Sequence, residues 1–217
     1  MPETPSTVPV LPSLSDQARR LIELGVPELS GVSADELRAF AADNAGADGD
    51  ALLTVHPDRA PASVLAPLLR RDDKPGFVVV DMPDVDRFTP TDAALVPEAA
   101  LYLIIGLDRG DHMSNWSPDE ALPALAEEGR TPLLLSEGIH WVLQQPAALE
   151  RNRCFMTIGS RLRKDNGAFD ARTPAIWISN GTGRDGRERR GAPKVGWCWW
   201  NNRHTWLGFG SATGRKA

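Results

Sequence analysis

The hydrophobic periodicity of this chain changes once, near residue 150, and that change limits what it can fold into. Before it, apolar residues recur at helical spacing between capping signals or gather into strand-length runs. From Cys154 onward they come in short blocks separated by Gly- and Arg-rich connections. Helices first and short strands last describe an α+β chain. Its parts are an N-terminal helical hairpin, a mixed α/β middle and a C-terminal Trp-rich antiparallel β-meander.

The helical signals are local and chemical. Ser13 with Asp16 opens a helix that stops at Gly25, the residue best able to take a left-handed cap. Ser33 and Glu36 have capping-box spacing, and Leu37, Phe40 and Ala41 share the face of the helix they open. Ser117-Pro118-Asp119-Glu120 combines an N-cap, a proline at the first helical position and a capping acid, with Gly129 to end the helix. Another helix runs from Ser136 to about Gln145, before Pro146, and carries Glu137, His140 and Trp141. A helix over 62–70 is interrupted near Pro67. Strands are expected at 51–55, 77–82 and 100–107, the last two covered on both faces. At the C-terminal end they fall at 154–159, 175–179, 195–200 and 205–211, the last two joined as a hairpin.

At 217 residues the chain holds one core of ordinary size, so residues 13–217 read as one domain, with a weak sub-boundary near 150. Residues 1–12 carry four prolines and read as a flexible tail. No apolar run is long enough to span a membrane, no leader peptide is evident, and two cysteines are too few for a disulfide scaffold. A cytoplasmic protein is expected.

Charge is unevenly divided. Residues 151–217 hold 14 Lys+Arg against 4 Asp+Glu, whereas residues 1–150 hold 10 against 25, so a net of −5 conceals a basic end of +10. Such asymmetry points either to an anionic partner or to two parts of one surface that neutralise each other.

The wording of several motifs is specific. Asn115-Trp116-Ser117-Pro118-Asp119-Glu120-Ala121-Leu122, Ser136-Glu137-Gly138-Ile139, Gly159-Ser160-Arg161, Pro174-Ala175-Ile176-Trp177-Ile178-Ser179, Gly196-Trp197-Cys198-Trp199 and His204-Thr205-Trp206-Leu207-Gly208 carry a resemblance. The chain resembles an uncharacterised actinobacterial family, a domain of unknown function, over most of its length beyond the tail. That resemblance implies no activity, cofactor or catalytic residue.

Chemistry must therefore be read from the residues. Residues 196–208 gather four tryptophans with Cys198, Arg203 and His204. On a hairpin, Trp197, Trp199, Arg203 and Trp206 would wall a small-molecule pocket, with Cys198 and His204 as a nucleophile and base; which face His204 takes depends on the register. A sheet merely packed by tryptophans fits the same pattern. The alternative function uses Arg184, Arg187, Arg189, Arg190 and Lys194, aided by Arg161, Arg163, Lys164 and Arg203, to bind nucleic acid or another anion beside stacking tryptophans. No short His/Cys ligand spacing occurs among His56, His112, His140, His204, Cys154 and Cys198, so no metal is expected. No phosphate-binding glycine motif implies a cofactor.

Overall fold

A computed structural model describes residues 10–217. The tail expected over 1–12 lies mostly outside the described residues; of its last three, Leu11 is buried and Pro12 O accepts from Gln17 Nε2. The fold is mixed α+β, with antiparallel strands at its C-terminal end.

Ser13 caps α1 (Leu14–Glu23), and Gly25 follows at φ 75°. A short helix not foreseen, α2 (Val26–Ser30), precedes the reciprocal Ser33–Glu36 box that opens α3 (Ala34–Asp43), and α1 packs on α3. After β1 (Ala51–Val55), α4 (Ala62–Leu65) tightens at Ala66–Leu68 into a 3-10 turn containing Pro67. Then come β2 (Arg70–Arg71), β3 (Lys74–Pro75), β4 (Phe77–Val78), β5 (Phe88–Pro90) and β6 (Leu101–Ile105). The Ser117–Glu120 box opens α5 (Pro118–Glu127) as the sequence predicts. Past β7 (Thr131–Pro132) lies α6 (Leu135–Gln144). The rest of the chain supplies β8 (Cys154–Met156), β9 (Ser160–Leu162), β10 (Arg172–Ile178), β11 (Pro193–Trp199), β12 (Leu207–Phe209), β13 (Ser211–Ala212) and β14 (Gly214–Lys216).

Two sheets share one helix. The smaller has the order β1-β6-β14 and the larger β12-β8-β10-β11-β4. All ten residues of α6 are buried, and the helix touches β1 on one side and β10 on the other. Gly138 permits the close approach: a Cβ there would sit 2.7 Å from Thr157 Cγ2 and 3.0 Å from the Phe155 ring. Trp141 continues the contact, its ring 5.0 Å from that of Phe155.

Burial of α6 makes partners valuable to its polar side chains, and Glu137 and His140 have them. Glu137 accepts from Tyr102 Oη at 2.9 Å and from Arg215 Nε at 2.6 Å and Nη2 at 2.7 Å, tying β6 and β14 to the helix. His140 donates from Nδ1 to Ser136 O at 2.8 Å and accepts the Val55 amide at Nε2. Gln17 of α1 accepts from Leu53 N and donates to Ala51 O. Together Gln17 and His140 satisfy the outer edge of β1, which would otherwise expose unpaired amides.

Two expectations are corrected. The strand over 77–82 shrinks to β4. Its last ladder bond runs from Val79 N to Val195 O, after which the chain turns toward Pro83 and leaves Val80 65% exposed instead of covered. Nor do β11 and β12 form a hairpin. One edge of β11 is taken by β10, paired from Arg172↔Trp199 to Ile178↔Pro193, and the other by β4, which runs parallel. The returning chain crosses instead to the far side of the sheet, where β12 lies parallel to β8. Both are matters of non-local pairing. Among the described residues, no helix is long and apolar enough to cross a membrane.

Candidate functional site

The β10–β11 register fixes where the aromatic residues point. Directly opposed residues share a face, so Trp197 and Val195 accompany Pro174 and Ile176, while Cys198, Gly196 and Lys194 accompany Thr173, Ala175 and Trp177. Trp177 lies across Gly196, where a Cβ would come within 2.6 Å of its ring. Trp197 and Trp199 meet edge to face at 4.6 Å, and Trp199 is 48% exposed.

The connection from Trp200 to Trp206 is tied to the start of α5. Trp200 Nε1 donates to Asp119 at 2.9 Å, Arg203 pairs with Glu120, and the Asn115 amide donates to His204 O. His204 meets the Trp206 ring at 5.7 Å, and Trp206 meets Trp177 at 6.3 Å. Its Nε2 has no hydrogen-bond partner among the described residues, and burial lowers its pKa. Burial pushes the Cys198 thiol up to about 11, against a smaller opposing pull from Lys194. A thiol of that pKa is protonated at neutral pH. The structure therefore keeps His204 and Trp206 together and holds Arg203 against Glu120.

The basic residues are largely occupied. Lys194 Nζ binds Asp185 at 2.7 Å beneath a matching bond from Ser179 Oγ, and stands over the Trp177 ring. Arg184 lies 3.6 Å from Asp81, and Arg189 stacks 4.4 Å from the Phe77 ring centre. Lys74 holds the backbone of this loop through Glu188 O and Arg190 O. Arg187 and Arg190 are exposed on it. Arg161 is sandwiched between Trp200, at 3.8 Å, and Phe169, at 4.9 Å; Arg163 also covers Phe169, and Lys164 approaches Asp170.

A concave site does exist beside Trp206. A cleft of about 230 Å³ is lined by Arg151, Asn152, Cys154, Ile178, Asn180 and Trp206. Arg151 Nη1 approaches Asn180 Oδ1 at 3.4 Å, and Asn152 holds a left-handed φ of 63°, a conformation asparagine tolerates well. Cys154 Sγ donates to Glu150 O at 3.2 Å, and burial pushes its thiol up to about 11. Of the ligand-binding residues expected from sequence, only Trp206 lines this cleft. Arg151, Asn152 and Asn180 carry no periodic signal, being turn residues from two separate connections.

Both cysteines are free. With thiols near pKa 11, about one molecule in a thousand carries a given thiolate at pH 8. Native protein should resist alkylation at that pH, and denatured protein should expose two reactive thiols. Rapid modification of either cysteine in the native state would contradict this.

Two sheets sharing a buried helix, with a cleft at the Trp206 end of the larger one, define a mixed α+β protein. The chain belongs to the Family of unknown function (DUF5701), whose model matches residues 20–217. No curated protein and no solved structure matches it.

Proposed function

We propose that this protein binds a small molecule in the cleft beside Trp206. One observation carries the reading: the cleft joins an indole and Ile178 to a guanidinium and two side-chain amides, an apolar wall with a few placed polar groups. That donor set suits a small planar ligand bearing a carboxylate or phosphate, with its ring against Trp206 and its anion at Arg151. The two protonated thiols favour binding over thiol catalysis. Free cysteines also accord with a reducing cytoplasm.

The alternative, an anion or nucleic-acid surface on Arg184, Arg187, Arg189, Arg190 and Lys194, is less well supported. Lys194 and Arg184 face acids, Arg189 stacks on Phe77, and Trp200 is covered by Arg161. Only part of the formal charge remains to neutralise phosphates.

A thermal-shift series with small aromatic carboxylates and phosphates tests the proposal. A ligand at about 100 times its Kd should stabilise the protein by about 2.7 kcal/mol. Arg151→Ala, an exposed change expected to alter the ligand-free stability by less than about 0.5 kcal/mol, should abolish that gain. Replacing Arg187 and Arg190 by alanine should not. Stabilisation lost with the loop arginines and indifferent to Arg151 would favour the alternative.

A further inference from the structure

We propose that a second, smaller site lies at the N-terminal end of α6, where it holds the carboxylate of a small zwitterion of the amino-acid class. A slot of about 50 Å³ opens there, with Ser136 and Ser160 among its polar lining, Pro61 and Phe88 among its apolar walls, and Asp58 and Asp86 also facing it. At about 10–15 Å³ per water-sized group, it accepts a handful of non-hydrogen atoms, the size of glycine or alanine.

The polar groups at this end of the helix are incompletely used. Ser136 is only 4% exposed, yet its Oγ has no partner among the described residues. A buried hydroxyl left unpaired is costly, and an entering acceptor would relieve the cost. The Leu134 amide is taken by Glu137 and the Leu135 amide by Ser160 Oγ. Ser160 therefore accepts there and keeps its own proton to donate. The amides of Ser136 and Glu137, in the first turn of a ten-residue helix, have no acceptor among the described residues. Orphan amides and the positive end of the helix dipole favour a carboxylate, and the negative charge of Glu137 is already met by Arg215.

The acids select what else the ligand carries. Asp86 is held rigid by the Ser63 amide at 2.9 Å and by Ser63 Oγ at 2.6 Å, and Asp58 is exposed. They repel a bare anion and complement an ammonium group one or two bonds from the bound carboxylate. His140, one turn further along the helix, spends Nδ1 on Ser136 O and Nε2 on the Val55 amide and so makes no bond to Ser136 Oγ.

The experiment is a ¹H–¹⁵N titration of the full chain with glycine, sodium acetate and methylammonium chloride at matched ionic strength. Glycine should move the Ser136, Glu137 and Ser160 amides saturably, acetate should do so more weakly, and methylammonium should leave them in place. Ser136→Ala should weaken glycine binding about tenfold, one charge-assisted hydrogen bond, without lowering the ligand-free Tm. Asp58→Asn, an exposed change, should narrow the preference for glycine over acetate. Arg151→Ala should leave the glycine response intact, so this site and the Trp206 cleft stand or fall separately. Absence of saturable shifts with glycine, acetate binding as tightly as glycine, or indifference to Ser136→Ala would overturn the proposal.

Discussion

Replacing Arg215 by alanine should cost about 3–5 kcal/mol, the usual penalty for leaving a buried charge without its partner. Glu137 is fully buried and accepts two bonds from the Arg215 guanidinium, which also reaches Thr131 Oγ1 and Pro132 O. Without the guanidinium, the carboxylate keeps only Tyr102 Oη and the Leu134 amide. Denaturant midpoints should fall accordingly, with Tm dropping by roughly 10 °C for a chain of this size. Adding Glu137→Gln to Arg215→Ala should recover part of the loss, because it removes the stranded charge. A double variant less stable than Arg215→Ala alone would show that the pair does not act through charge compensation. The C-terminal strand is thus fastened to the centre of the protein, although nothing in the sequence marks Arg215 as other than a surface cation.

Acid should weaken the fold at a pH where ordinary carboxylates are still ionised. Burial lowers the His140 pKa to about 4, against small opposing effects from Ser136 O and Glu137. The folded protein keeps this ring neutral while the unfolded chain protonates it near pH 6.5. Between those values the unfolded state binds more protons, so stability falls as the pH drops from about 6.5 to about 4. The loss totals about 3 kcal/mol, at 1.36 kcal/mol per unit. Asp84 and Asp170 have pKa values lowered chiefly by Arg172 in the first case and by bonds from Arg172 against a burial penalty in the second. Their contribution is present above the ordinary carboxylate range and is lost only at lower pH, so the two effects separate. His140→Gln should flatten the slope between pH 6.5 and 4. An unchanged slope in that variant would assign the acid sensitivity elsewhere.

The sequence was most legible where one residue's chemistry decides local structure. Ser33 with Glu36 and Ser117 with Glu120 close the capping boxes their spacing predicts, because a cap needs partners only three residues away. The segment from Ser136 to about Gln145 reads as a helix, and its burial on every side follows from the lack of a charged face apart from Glu137. Pairing was less legible. The segments 195–200 and 205–211 have the composition of a hairpin, but β10 and β4 claim both edges of β11, and no local signal reports on strands so distant in sequence. The candidate site suffers in the same way. Trp206 stands out as an aromatic residue, whereas Arg151, Asn152 and Asn180 become a rim only because β8, β10 and β12 lie side by side. The net basic charge of the C-terminal part is a sum, and what it can do depends on partners: Asp185, Asp81 and Glu120 pair with Lys194, Arg184 and Arg203.

The seven tryptophans offer the most direct measurement of the central claim, because each indole N–H gives its own resonance. In a ¹H–¹⁵N titration with small planar carboxylates and phosphates, the Trp206 indole should move saturably, with Trp177 following it, and Arg151→Ala should abolish the response. A Trp206 resonance that stays fixed throughout, while a single-stranded oligonucleotide shifts Trp197 and Trp199 in a salt-dependent way, would contradict the small-molecule cleft and place function on the basic surface instead.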